Sequence, residues 1–169
     1  YYFFKNKEDI FQSLVMELLR QCTDLIAAHF RQESPAFRYA ALCLIEFEAV
    51  AMNQLVRETY YEGYTTPLTF EKITDHLADM TGRIFGDSLG LSKEDIFLRS
   101  LLIKGAMRGY IVQFDFSQPM DSQKYAALVL DTALQLLGIS AAESHDVLAQ
   151  LEKRLPEIEA IADEMIHRR

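Results

Sequence analysis

Tyr1-Tyr2-Phe3-Phe4-Lys5-Asn6-Lys7-Glu8-Asp9-Ile10-Phe11 carries an aromatic block straight into a helix start. Asn6 suits an N-cap because its side-chain oxygen can accept from an orphan amide of the first turn. Glu8 and Asp9 place negative charge where the helix dipole favours it. Apolar periodicity begins at once with Ile10, Phe11, Leu14 and Val15. Read as residues alone, the stretch is a turn packed beneath a helix start. The chain opens on Tyr rather than Met, and two Tyr followed by two Phe make a poor terminus, so a preceding segment is expected.

The prolines extend the helical reading. Ser34-Pro35 and Thr66-Pro67 each read as an N-cap followed by Pro at the first helical position, and Pro119 stands just before a helix capped by Asp121. Pro156 lies inside a helical pattern, so it either kinks one long helix near Arg154 or begins a separate short one. Gly86, Gly90 and Gly138 supply stops, and Ser140-Ala141-Ala142-Glu143 forms a capping box. Helices are expected over Lys7 to Phe30, Pro35 to Gly63, Pro67 to Phe85, Lys93 to Phe116, Ser122 to Leu137 and Ala141 to Arg168. No run alternates as a strand does. Ser92 to Phe97 echoes Asn6 to Phe11, but the flanking residues differ, so the echo is two uses of one good helix start and not a repeat.

With 169 residues, 50% of them hydrophobic and 25% charged, the chain can bury one substantial core and has the composition of an ordinary globular domain, not of a disordered segment. A net charge of -8 argues against this portion gripping nucleic acid by itself, because such affinity rests on basic residues neutralising phosphates. Cys22 and Cys43 sit in apolar helical patterns without metal-site spacing and read as buried, unpaired thiols. The most apolar stretch, Tyr39 to Met52, is interrupted by Glu46 and Glu48 and cannot span a bilayer. A cytoplasmic location is expected.

Within Pro35 to Gly63, Glu46, Asn53, Arg57, Tyr60 and Tyr64 recur at helical spacing, broken by Val50. They form either a solvent-facing edge with an internal ion pair, or a set in which Glu46, Asn53 and Arg57 project into a mostly apolar cavity. The Lys93 to Phe116 helix has two faces. Ile96, Ile103, Met107, Tyr110 and Phe114 look pocket-lining, whereas Leu98, Leu101, Gly105, Gly109 and Val112 look interfacial. Each interior Gly costs about 1 kcal/mol against Ala, a cost tolerable where another helix approaches closely. The next helix offers Tyr125, Leu128, Val129, Thr132 and Leu136 to the same seam, with ordinary intrachain packing as the alternative. Cys22, Phe47, Met80, Met107, Tyr110 and Phe114 either close into a solid core or line a ligand pocket. His29, His76, His145 and His167 are scattered, and neither a nucleophile elbow nor a phosphate loop is present, so no catalytic residue, metal or cofactor is expected.

The segment Tyr1-Tyr2-x-Phe4-Lys5-Asn6-Lys7-Glu8-Asp9-Ile10-Phe11 resembles the end of the helix-turn-helix in tetracycline-repressor (TetR) family transcriptional regulators. In that family the aromatic run closes the recognition helix, and the following lysine begins the helix linking the DNA-binding and effector domains. The resemblance implies that residues 1–6 end a DNA-binding domain whose remainder is absent, and that residues 7–169 form the ligand-binding and dimerisation domain. Tyr1, Tyr2 and Lys7 match family positions that contact DNA phosphates. Phe3 departs from the pattern, since His or Tyr often stands there and Phe has no polar group.

The fold implied is an all-α, TetR-like effector-binding helical bundle. Two long helices from each subunit, here Lys93 to Phe116 and Ser122 to Leu137, would make a four-helix bundle about a two-fold axis. The function implied is that of a homodimeric repressor released from operator DNA by a small lipophilic or aromatic effector. The competing reading is a helical carrier or interaction module that binds a lipophilic molecule without DNA.

Overall fold

The computed structural model describes residues 6–114 and 120–168. Among these the chain is all-helical, in the order α1 (Lys7–His29), α2 (Pro35–Met52), α3 (Gln54–Thr65), α4 (Pro67–Phe85), α5 (Lys93–Phe114), α6 (Ser122–Leu136), α7 (Ala141–Lys153) and α8 (Leu155–His167). The caps form where the sequence places them. Asn6, Ser34, Asp121 and Ser140 each accept from the amide three residues on, at 3.0, 3.2, 3.0 and 3.1 Å. Thr66 instead turns its hydroxyl back to the Glu62 carbonyl at 2.8 Å and caps nothing. At the end of α6, Gly138 takes φ 82°, which lets its own amide reach Gln135 O and the Ile139 amide reach Leu134 O, at 2.9 and 3.0 Å.

Two expected helices are each divided. The stretch from Pro35 to Gly63 breaks at Asn53, and α2 and α3 diverge by 119°. Asn53 is extended, at φ -136° and ψ 119°, and its side chain accepts from the Val56 amide at 3.0 Å, so it caps α3 and does not continue α2. Arg57 completes the corner by donating from Nε to Val50 O and from Nη2 to Ala51 O, at 3.2 and 3.3 Å, satisfying carbonyls that the ended helix leaves open. The C-terminal stretch breaks at Arg154, where Pro156 has no amide to continue α7 and instead enters the first turn of α8.

Helix α2 is the axis of the fold, with α1, α3, α4, α6, α7 and α8 packed around it. That position explains its apolar composition, since a helix surrounded by others needs no polar face. No single helix among the described residues is long and apolar enough to cross a membrane. Where α1 crosses α3, a Cβ placed on Gly63 would lie 2.8 Å from Val15 Cγ2, so this glycine permits the close approach and does not end the helix, which runs on to Thr65. Helix α5 lies against α3, α4 and α6 and presents its outer face to solvent.

Candidate functional site

A buried charged pair lies at the centre of the molecule. Glu46 reaches inward from α2 and Lys104 from α5, with 2% and 1% of their surface exposed. Lys104 Nζ donates to Glu46 Oε2 at 2.8 Å and to the Tyr64 hydroxyl of α3 at 3.2 Å, and that hydroxyl approaches the same carboxylate oxygen at 3.4 Å. One carboxylate therefore ties three helices together. Burial alone pulls the Lys104 ammonium down, but the adjoining Glu46 carboxylate, with Cys43 and Tyr39, more than offsets this and leaves it above its ordinary value.

Around the pair, burial, reinforced by the Glu46 charge, pushes the Cys22 thiol and the Tyr60 and Tyr64 hydroxyls well up. Burial likewise pushes Cys43 up to about 12, the nearby Lys104 pulling the other way. Both thiols are unpaired, and neither can ionise near neutral pH.

Beside the pair, Glu46, Phe47, Val50, Tyr60, Met107, Tyr110 and Ile111 enclose a void too narrow for a water molecule. The buried Tyr60 hydroxyl that lines it has no hydrogen-bond partner among the described residues. Four of the expected pocket residues meet here, namely Glu46, Phe47, Met107 and Tyr110. The others are placed differently. Asn53 and Arg57 hold the α2–α3 corner, and the Arg57 guanidinium lies 4.1 Å from the centre of the Phe114 ring, which packs edge-on to Tyr110 at 5.5 Å. Cys22 donates its thiol to Leu42 O at 3.6 Å, and Met80 is buried on α4. Glu46, Tyr60 and Tyr64 are not a solvent-facing edge, because all three are buried and the corner at Asn53 destroys the common face. Lys104, which sequence reasoning missed, shares a helical face with the buried Ser100, Ile103, Met107 and Ile111.

The expected seam residues divide between solvent and core. Leu98, Leu101, Gly105, Gly109, Leu128 and Thr132 are exposed, and Val112, Tyr125 and Leu136 half-buried. Val129 is buried against its own chain. Leu102, not anticipated, is 62% exposed, and Leu128 59%. A Cβ on Gly105 would meet open space, whereas one on Gly109 would approach the Tyr125 hydroxyl at 3.1 Å. That hydroxyl donates to Ala106 O at 2.6 Å, so the smallness of Gly109 serves packing within the chain.

Tyr1 and Tyr2 lie outside the described residues. Lys7 is exposed at the start of α1, 3.4 Å from Glu62 Oε1. His29 pairs with Glu164 at 3.3 Å and His167 with Asp163 at 3.3 Å. Glu164 and His167 stand at Glu-x-x-His spacing, a pattern the sequence reading overlooked, but they contact different partners, and among the described residues no three potential ligands are grouped to hold a metal. No protein-family model matches the chain, and no curated protein or solved structure matches it significantly.

Proposed function

We propose that the chain is the effector-binding and dimerisation portion of a TetR-like transcriptional repressor, acting as a homodimer on operator DNA and released by a small lipophilic or aromatic molecule. The observation that carries this reading is the set of exposed leucines on the adjacent helices α5 and α6, namely Leu98, Leu101, Leu102 and Leu128. Exposed leucines gathered on neighbouring helices are costly in water, and a second copy presenting the same residues would cover them. The polar centre supports the effector half of the reading. The Tyr60 hydroxyl, without a hydrogen-bond partner among the described residues, lines a void between α2, α3 and α5, and a molecule that parted these helices would find that hydroxyl already in place. Movement of α3 against α2 would pass to α1, which packs on both and leads towards the proposed DNA reader.

In this mechanism the effector favours one arrangement of α2, α3 and α5, tilts α1, and changes the separation of two DNA readers whose half-sites repeat at fixed helical spacing. Such an effect requires differential affinity of the effector for the two arrangements. The reading assigns no catalysis to the chain.

Sedimentation and gel-shift measurements on the whole gene product, including whatever its reading frame encodes before Tyr1, test the proposal. A dimer that Leu102→Asp converts to monomer, together with DNA binding weakened across sequences by Lys7→Ala, is the expected result. A monomer at micromolar concentration, or a gene product without affinity for DNA at moderate salt, overturns it.

A further inference from the structure

The polar centre is not the molecule's only candidate for ligand binding. On the opposite side of α2 a groove of about 370 Å³ runs between α2, α6, α7 and α8. Its walls are Leu44, Ala126, Leu130, Leu148, Leu151 and Leu155. The volume lies in the range that holds drug-sized organic molecules, and an apolar lining with few polar groups is the usual character of such sites.

One side chain breaks the apolar lining from within. Glu48 stands one helical turn beyond Leu44 on the same face of α2, so both reach the groove. It is half-buried and makes no hydrogen bond or ion pair among the described residues. The contrast with Glu46, two residues earlier and turned to the other side of α2, is informative. Glu46 is buried with Lys104 and Tyr64 as partners, whereas Glu48 is half-buried with none among the described residues. Burial holds its carboxyl above the usual carboxylate range, and the neighbouring Glu159 charge adds to the effect. A carboxylate in a cleft, perturbed by desolvation and left unpaired, is what a site for a cation presents before its ligand arrives.

We propose that this groove binds a lipophilic organic cation, whose apolar body lies against Leu44, Leu130, Leu148 and Leu155 and whose ammonium group pairs with Glu48. The chemistry excludes the other simple classes. An inorganic cation would find Glu48 as the one half-buried carboxylate, with Glu152 and Gln123 exposed, and no three potential ligands are grouped there among the described residues. An anion would meet Lys124 and His145, but both are exposed at the rim, while the interior charge is that of Glu48, with the exposed Glu152 adding to it from the lining. The binding stands whether or not the chain regulates transcription, because it involves neither DNA nor the α5–α6 face.

The test uses dansylcadaverine, a fluorescent aromatic joined by a pentyl chain to a primary amine, and its N-acetyl derivative, which is nearly the same size but uncharged. Fluorescence titration is expected to give saturable binding of the amine about tenfold tighter than of the acetylated compound, the ratio expected of one partly desolvated charge pair. Glu48→Gln should abolish that ratio while leaving the acetylated compound's affinity unchanged. Ala127→Trp, a substitution at an exposed wall position, should fill the groove and remove binding of both compounds, with an unaltered circular dichroism spectrum showing that the fold is kept. Equal affinities for the two compounds would overturn the charge pairing. Tight amine binding that survives both substitutions would place the site elsewhere, and the absence of saturable binding below about 1 mM, a free energy of roughly 4 kcal/mol, would remove it altogether.

Discussion

Replacing Lys104 by Met keeps most of the side-chain length and removes the charge, leaving the Glu46 carboxylate buried with only the Tyr64 hydroxyl for company. Removing one member of a buried pair leaves an uncompensated charge and costs about 3–5 kcal/mol. Total stability for a domain is about 5–15 kcal/mol, so a single substitution would consume a large part of it. At about 2–4 °C per kcal/mol for a chain of this size, the melting midpoint should fall by roughly 6–20 °C. Chemical denaturation of Lys104→Met, Glu46→Leu and the double variant supplies the full cycle. The double variant should recover much of the loss, because two apolar groups of similar shape replace the pair without stranding a charge. The pH dependence has a definite sign. The folded-state pKa of Lys104 is raised, so its contribution is fully present below the unfolded-state value near 10.4 and is lost only as pH rises through the higher folded value. Stability traced to this lysine should therefore be constant from pH 6 to 9 and decline in strong alkali. A loss under about 1 kcal/mol for Lys104→Met, or additive effects in the double variant, would show that water or a rearranged partner reaches Glu46 and would refute the dry, coupled centre.

Gly63→Ala should destabilise the chain by about 1–3 kcal/mol through the new Cβ against Val15 Cγ2, and Val15→Ala should recover part of that loss if the contact is the cause. A thiol reagent such as Ellman's should find Cys22 and Cys43 unreactive in the native protein at neutral pH and both accessible in denaturant, since burial opposes the thiolate at each. Prompt native reaction of either would place it at an opening that the packed core does not have.

The legible part of this fold was local. The caps at Asn6, Ser34, Asp121 and Ser140 act over three or four residues, so a short window of sequence contains all the participants. The corner between α2 and α3 also uses nearby residues, yet the sequence there implies continuous helix, because apolar periodicity runs through it without Gly or Pro. Asn53 and Arg57 suit a pocket or a solvent-facing edge by sequence, yet their chemistry is equally that of helix ends: an amide oxygen that accepts from an opening turn and a guanidinium that donates to closing carbonyls. Lys104 was illegible for a different reason. Its partner lies 58 residues away on another helix, and no local rule supplies such a pairing. The face it occupies was nonetheless visible, since Ser100, Ile103, Met107 and Ile111 flank it at helical spacing and are all buried. A charged residue on such a face requires a partner, because burial without one costs several kcal/mol. Glu48 is a milder case, half-buried so that water still reaches part of it, and it too has no partner among the described residues. Lys104 shows that this fold answers a buried charge with an opposite one. At Glu48 no such partner is present among the described residues, and an ammonium group entering the groove would supply one, which is why the proposed ligand is a cation and not a neutral apolar molecule.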